Sequence, residues 1–252
     1  MAHLTRRLLA MLLAASALPA AAASLQPTDD PQASPIWQKV RASLFENRPI
    51  APAPADMLVL EAPARAIDAA VVPIAIRSRW PQTAALHVRK LYLIIDANPS
   101  PISAVFQFTP DSGRADVETR VRVDDYSHVR AIAETNDGKL FMTTRFVKAS
   151  GGCSAPAGSD AAAALAAMGK MAFRVDGDLR GTQPVLAQLT ISHPNHSGLA
   201  MDQYTRQFTP AHYVRKIDVT HGGKPVFSAD VDFSMSENPS FRFHFLPQGP
   251  QG

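Results

Sequence analysis

The sequence predicts an all-β protein made of two antiparallel β-sandwiches, with only short helices. Between Met57 and Leu246 most of the chain consists of short runs in which apolar and polar residues alternate, as in half-buried strands. Clusters of Gly, Pro, Asn and Asp separate these runs and favour turns. Roughly 225 residues follow the N-terminal apolar segment, which is enough for two domains of ordinary size.

The first half contains seven candidate strands. Asp137-Gly138 between the last two is a strong hairpin signal, because this dipeptide fits the tight turns that join antiparallel strands. Seven short strands at this spacing predict a sandwich of immunoglobulin type. The candidates are Met57–Glu61, Val71–Arg77, Val88–Ile95, Ile102–Phe108, Val117–Val123, Val129–Glu134 and Leu140–Val147.

The second half contains five candidate strands, which predict a smaller immunoglobulin-like sandwich. The turn Gly222-Gly223-Lys224 joins two of them as a hairpin. Alternating phenylalanines in both halves are expected in the core: Phe106, Phe108, Phe241, Phe243 and Phe245. The candidate strands are Lys170–Val175, Val185–Ser192, Tyr213–His221, Val226–Phe233 and Phe241–Leu246.

Two short helices are expected outside the strands. Ser34 followed by Pro35 is a typical helix start, and apolar residues at three- to four-residue spacing continue it to about Asn47. The second helix, Asp160 to Met168, is rich in alanine, with Ser159 as its N-cap and Gly169 as its stop. Pro49 to Asp56 reads as a connector.

The N-terminus carries an export signal. Arg6 and Arg7 precede the apolar run Leu8–Leu18, and small residues near Ala23 suit signal peptidase, so the protein is expected in the periplasm. The paired arginines leave the Sec and twin-arginine routes both open. The predicted domain plan is a signal peptide at 1–23, a disordered lead and short helix at 24–56, a sandwich at 57–149, a linker and helix at 150–169, and a sandwich at 170–247.

Charge and cysteine content exclude several classes of function. The formal net charge of +3 falls to +1 when Arg6 and Arg7 are removed, so no clustered basic surface points to nucleic acid or to an anionic membrane. The chain has one cysteine, Cys153, which cannot form an internal disulfide. Stability must therefore come from packed cores.

Cys153 lies in the segment Ser150–Ser159, between the two halves. Glycines before it and Pro156 after it disfavour regular structure, and no periodic apolar run surrounds it, so the thiol is predicted to be exposed. It would then carry or exchange a small group, with Gly151, Gly152 and Gly158 forming a flexible arm. The alternative is an incidental cysteine in a linker.

Each half contains a series of recognisable motifs. Those of the first half are LIIDANPSPISAVFQF at 93–108, TRVRV at 119–123, GKLF at 138–141 and VKASGGC at 147–153. Those of the second half are HPNHSG at 193–198, PAHYVRKI at 210–217, GGKPVFSAD at 222–230 and SENPSFRF at 236–243. By these motifs the first half resembles SoxY, a subunit of the sulfur-oxidation carrier, and the second half resembles SoxZ. The order of the two halves is similar to that of single-chain SoxYZ-like carriers associated with quinoprotein dehydrogenases.

The resemblance implies a carrier with no active site of its own. Cys153 matches the carrier cysteine, which bears a sulfur adduct between the enzymes of sulfur or thiosulfate oxidation. Its partners would be periplasmic sulfur-oxidising enzymes, or a quinoprotein dehydrogenase or its cytochrome, and no cofactor beyond the adduct is expected. The right flank departs from the family pattern, because Ser154-Ala155 replaces the trailing glycines and the chain continues.

Two alternatives to the carrier remain open at this point. The chain could be a non-covalent binding or assembly module for a periplasmic dehydrogenase or cytochrome, in which Cys153 is dispensable. It could be a metal chaperone, because His193 and His196 are three residues apart in a turn, and His212, His221 and His244 lie on or near strands of the same half. If the thiol is exposed, a disulfide-linked dimer through Cys153 is expected in an oxidising compartment. No hydrolase elbow or phosphate-binding loop occurs.

Overall fold

A computed structural model describes residues 30–156, 158 and 161–248. The predicted signal peptide, most of the predicted lead and the predicted N-cap Ser159 lie outside this part of the chain. The described residues form two stacked β-sheets with two short helices, which confirms the all-β prediction of two immunoglobulin-like sandwiches.

Thirteen strands occur among the described residues, and the sequence pattern predicted twelve of them. Those of the first half are β1 (Ile50–Pro52), β2 (Leu58–Glu61), β3 (Val72–Ser78), β4 (Val88–Ile95), β5 (Ile102–Phe108), β6 (Val117–Val121), β7 (Ser127–Thr135) and β8 (Leu140–Val147). Those of the second half are β9 (Met171–Asp176), β10 (Val185–Ile191), β11 (Lys216–His221), β12 (Lys224–Val231) and β13 (Ser240–Phe245). Both predicted hairpins, β7–β8 and β11–β12, are present.

Each half supplies strands to both layers, and the layers run without a break from one half to the other. One sheet has the order β1-β8-β7-β4-β5-β12-β11, and the other β2-β3-β6-β13-β10-β9. Antiparallel pairing of β5 with β12 and of β6 with β13 makes the two junctions. The two sandwiches are therefore joined edge to edge in both layers, which the sequence did not indicate.

Phenylalanines fill the core at this seam, as the alternating pattern predicted. Phe106 of the first half lies 6.0 Å, centroid to centroid, from Phe227 of the second, and Phe227 stacks on Phe243 at 4.3 Å. These rings belong to one buried cluster that draws on both halves. Burial of large rings contributes more per residue than aliphatic packing does, so the seam is a main source of stability.

The first helix, α1 (Pro35–Phe45), packs on the outer face of the first sheet. Ser34 Oγ accepts a hydrogen bond from the Trp37 backbone N–H and caps the helix, as predicted. Trp37 also lies over the guanidinium of Arg130, 4.5 Å from its carbon to the ring centroid. Arg130 is fully buried and pairs with Asp96 through two hydrogen bonds, Nε to Oδ1 at 2.8 Å and Nη2 to Oδ2 at 2.5 Å.

Two parts of the N-terminal prediction differ from the structure. Pro31–Ala33, assigned to the disordered lead, form a 3₁₀ turn in which the Asp30 carboxylate accepts from the Gln32 N–H. The predicted connector contains β1, which pairs in parallel with β8. Three residues that include a proline show no alternation, so the sequence could not reveal β1. The second helix, α2 (Ala161–Ala167), is present, with Leu165 exposed.

Because both sheets and the core cross the seam, we expect the two halves to unfold in one transition. Differential scanning calorimetry should give equal calorimetric and van't Hoff enthalpies. Phe227→Ala should lower the midpoint of that single transition, with a loss of about 3–5 kcal/mol. Two separate transitions, or destabilisation confined to one half, would contradict the shared core.

Candidate functional site

Cys153 lies in a tight turn just after β8, and its thiol is buried. None of its surface is accessible. The prediction of an exposed thiol is therefore wrong. The sequence pattern predicts conformational freedom from the glycines around Cys153, whereas in the structure they allow the turn to pack closely against the first half.

Backbone hydrogen bonds hold the start of the turn to the chain that follows β6. The Gly151 N–H donates to the Asp124 carbonyl at 2.7 Å, and the Gly152 N–H to the Val123 carbonyl at 3.0 Å. The Cys153 N–H donates to Asp124 Oδ1 at 3.3 Å. Gly151 has a φ of 80°, a left-handed value that glycine adopts without strain.

Gly152 is required by its surroundings. A Cβ at this position would lie 2.1 Å from the carbonyl oxygen of Ala69 and 2.6 Å from that of Val123. Both contacts are with backbone, which cannot move aside easily. Of the three glycines assigned to a flexible arm, Gly152 therefore acts as a packing residue.

Side chains from both halves hold the rest of the turn. Nη1 of Arg122 donates to the carbonyl of Gly152 at 3.2 Å and lies 3.5 Å from that of Ala155. Ser197 Oγ of the second half donates to the Cys153 carbonyl at 2.5 Å. Glu237 Oε2 of the second half accepts from the Gly158 N–H at 2.7 Å. The segment is thus fastened before, at and after the cysteine.

Asn98 organises the chain beneath the turn. Its Nδ2 donates to the Arg122 carbonyl at 2.9 Å and to Ser234 Oγ at 3.0 Å, and its Oδ1 accepts from the Asp124 N–H at 2.9 Å. The sequence pattern predicts only a turn in the stretch between β4 and β5 that contains Asn98. The buried amide also connects the two halves, through partners up to 136 residues away in the chain.

The electrostatics of the pocket favour the protonated thiol. Burial raises the pKa of Cys153, the Asp124 carboxylate raises it further, Arg122 opposes this and Asp232 adds to it, so that the pKa lies at about 12 instead of about 9. Burial also lowers the pKa of Arg122, which the nearby carboxylates of Glu237 and Asp68 partly offset. In this closed state the thiol is a poor nucleophile, because the thiolate is the reactive species.

Two buried polar atoms near the cysteine have no hydrogen-bond partner among the described residues. They are Nε of Arg122 and Oδ2 of Asp232. Burial raises the pKa of Asp232, which places this carboxylate in a poorly solvated position. Such unsatisfied groups are uncommon in protein interiors, and these two are among the six buried side-chain atoms that have no hydrogen-bond partner in the described part of the chain.

The histidines behave as structural residues of the second half. The rings of His193 and His212 contact each other at 4.8 Å, and His193 Nδ1 accepts from the Asn195 N–H. Burial lowers the pKa of His193 and of His196, and neighbouring His212 lowers both further. Within residues 30–156, 158 and 161–248, no group of three or more His, Cys, Asp or Glu side chains is placed to hold a metal ion.

An open groove of about 460 Å³ runs beside the cysteine turn. Ser154 and Pro156 form one wall, and the loop after His196 forms the other. That loop presents Tyr204 and Phe208, which are 97% and 57% exposed. Asp202 Oδ1 accepts from the N–H groups of Tyr204 and Thr205, so the loop has a defined turn at its tip.

Family models match both halves of the chain. Sulfur oxidation protein SoxY matches residues 41–153, and sulphur oxidation protein SoxZ matches residues 175–252. The chain is a fusion of a SoxY domain and a SoxZ domain. The SoxY match ends on Cys153 itself, so the cysteine turn closes the SoxY half, and Ser197 and Glu237 reach it from the SoxZ half.

Two solved structures that are similar to the chain each cover less than half of it. The sulfur carrier protein SoxY from Chlorobium limicola f thiosulfatophilum is 25% identical, with 45% of this chain and 90% of that chain covered and a TM-score of 0.38. A superoxide reductase (neelaredoxin) from Ignicoccus hospitalis is 20% identical, with 36% and 79% covered and a TM-score of 0.33. No curated protein matches the chain. No helix in its described part is long and apolar enough to cross a membrane.

The raised pKa of Cys153 gives a testable pH dependence. An unfolded thiol loses its proton near pH 9 and the folded one near pH 12, so between these values the unfolded state binds fewer protons. The free energy of unfolding should therefore fall as pH rises through this range. Urea unfolding at pH 8 and pH 10 should show a larger loss in the wild type than in Cys153→Ser. Equal losses would mean that the thiol is exposed.

Gly152→Ala should displace the turn, because the added Cβ meets backbone. We expect a loss of about 2–4 kcal/mol in urea unfolding and faster alkylation of Cys153 by iodoacetamide. Gly158→Ala is the matched control, since a Cβ there lies 3.3 Å from the flexible Glu237 carboxylate and should change little. Similar behaviour of the two variants would contradict the tight fit at Gly152.

Proposed function

We propose that this fused SoxY–SoxZ protein is a periplasmic carrier whose Cys153 covalently bears a small sulfur-containing adduct between partner enzymes. One observation carries the proposal: the only cysteine of the chain is the last residue of the SoxY match, in a turn fastened by the SoxZ half. A linker cysteine without a role would not require Gly152 and Arg122 to enclose it. The apolar segment after Arg6-Arg7 supports export.

Burial gives the carrier a resting state in which its sulfur is shielded. A buried thiol or adduct is protected from reductants and from unrelated thiols, because exchange requires access to the sulfur. Opening requires the loss of the contacts from Arg122, Ser197 and Glu237 to the turn. Each is a hydrogen bond with a net contribution of about 0.5–3 kcal/mol, larger where a charged group takes part, so binding of a partner protein supplies enough free energy to break them.

The loading step sets what a partner must provide. Sγ of Cys153 forms an S–S bond with a sulfur atom of the cargo, the thiol loses its proton to solvent, and two electrons leave. The loading partner must therefore include an electron acceptor, such as a periplasmic cytochrome. Because the cysteine segment is attached at both ends, a partner would take hold of it from the side. The groove beside Ser154, with Tyr204 exposed, is where it would approach.

A second function is favoured by the same burial. A chain with an inaccessible thiol and an exposed aromatic loop fits a non-covalent assembly module. Its partner would be a periplasmic dehydrogenase, such as a quinoprotein dehydrogenase, or a cytochrome. In that case Cys153 would only fill space at the seam. The two functions differ in whether the sulfur is ever modified.

The intact mass of the purified protein distinguishes the sulfur carrier from the assembly module. Wild type and Cys153→Ser are exported in the native host, grown with and without a reduced sulfur source, and purified without reductant. The carrier predicts an added mass in the wild type that is removed by a thiol reductant and is absent from Cys153→Ser. Cys153→Ser is a close match in size, so it should remain folded.

The same samples identify the cargo and test whether the signal peptide is cleaved on export. The added mass identifies the adduct, and a mature N-terminus near residue 24 would establish signal cleavage. An unmodified thiol in sulfur-fed cells, together with growth supported equally by Cys153→Ser, would overturn the carrier and favour the assembly module.

A further inference from the structure

The strand β9 forms an uncovered edge of the second sheet. The sheet order ends at β9, and no other described strand pairs with its outer side. Met171 and Phe173 are 69% and 48% exposed. Their register partners on β10, Ile191 and Leu189, are buried, so these two apolar side chains lie on the inner face of the sandwich, beyond the reach of the other layer.

The direction of the free backbone groups on β9 follows from its neighbours. The Ile191 N–H donates to Pro239 in the chain leading into β13, whereas the Ser192 N–H donates to Lys170 beside β9. Along an antiparallel strand, successive residues direct their backbone N–H and C=O groups alternately toward one neighbouring strand and toward the other side. The N–H and C=O groups of Met171, Phe173 and Val175 therefore point away from β10, toward solvent. The exposed apolar residues are thus also those that offer free hydrogen-bonding groups, which makes this edge a template for another strand.

The sequence of this edge is complementary to itself. Residues 170–176 read Lys-Met-Ala-Phe-Arg-Val-Asp. In antiparallel pairing centred on Phe173, the two Phe173 rings face each other and Met171 faces Val175 of the second copy. The same register sets Lys170 opposite Asp176 of the second copy, and aromatic and opposite-charge pairs both stabilise neighbouring strands.

We propose that two copies of this chain associate through β9 about a two-fold axis at Phe173. Lys170 and Asp176 are exposed and have no ion-pair partner among the described residues of one chain, so both are available to the second copy. The pairing is isologous, which is the commonest symmetry of dimers. The interface is small, so the dimer forms in a concentration-dependent equilibrium.

This dimer does not involve the thiol. Cys153 is buried and lies in a different part of the chain from β9, so a β9 dimer persists in reductant and in Cys153→Ser. The disulfide-linked dimer expected from an exposed thiol would require the turn to open first. The proposal is therefore independent of the carrier function.

Substitutions that reverse the charges at the two ends of β9 test the proposed pairing register of the dimer. Sedimentation velocity on the full mature chain, over a range of concentrations, should show a monomer–dimer equilibrium. Lys170→Asp sets two Asp pairs in opposition and Asp176→Lys sets two Lys pairs in opposition, so each should weaken the dimer by about tenfold. The double variant Lys170→Asp/Asp176→Lys restores both pairs and should restore the affinity.

Two further variants control the result. Phe173→Lys places like charges face to face on the axis and should abolish the dimer, with circular dichroism as the check on folding. Lys224→Asp changes an exposed lysine at the first position of β12 and should leave the equilibrium unchanged. The proposal is overturned by a wild type that stays monomeric up to millimolar concentration. A dimer unaffected by the single exchanges, or one lost in reductant, would overturn it equally.

Discussion

The pairing of β5 with β12 and of β6 with β13 is the constraint on which the rest of the molecule depends. The second half contributes only two strands to one layer and three to the other, which alone would enclose little core. Continuing both sheets of the first half gives those strands paired neighbours. It also brings Phe227 and Phe243 against Phe106 and so builds one core from two family domains.

The same seam creates the environment of the cysteine. Arg122 lies just past the end of β6, where its N–H donates to the Ser234 carbonyl of the SoxZ half and its carbonyl accepts from Asn98. Its guanidinium then encloses the turn that carries Cys153. A thiolate in such a poorly solvated place is destabilised, and two nearby carboxylates add to the effect. Protection of the sulfur and suppression of its reactivity therefore have one physical cause.

Much of the fold could be read from local pattern because strand periodicity and turn chemistry are local properties. Twelve strands, the Ser34 cap and both glycine hairpins needed no knowledge of distant residues. β1 was missed because its stability comes from parallel pairing with β8, about ninety residues away, rather than from its own three residues. The exposure of Cys153 was predicted wrongly because the sequence does not distinguish a glycine that permits close packing of the backbone from a glycine that permits motion.

By itself the sequence determined twelve of the thirteen described strands, the order of a SoxY-like and a SoxZ-like half, and the position of one cysteine between them. These follow from composition, period and motif, all of which are carried by neighbouring residues. The tertiary structure decided that the halves share both sheets and that Arg122, Asn98 and Ser197 surround the cysteine turn. It also decided that the thiol is buried, since accessibility depends on chain segments that meet only when the whole molecule is packed.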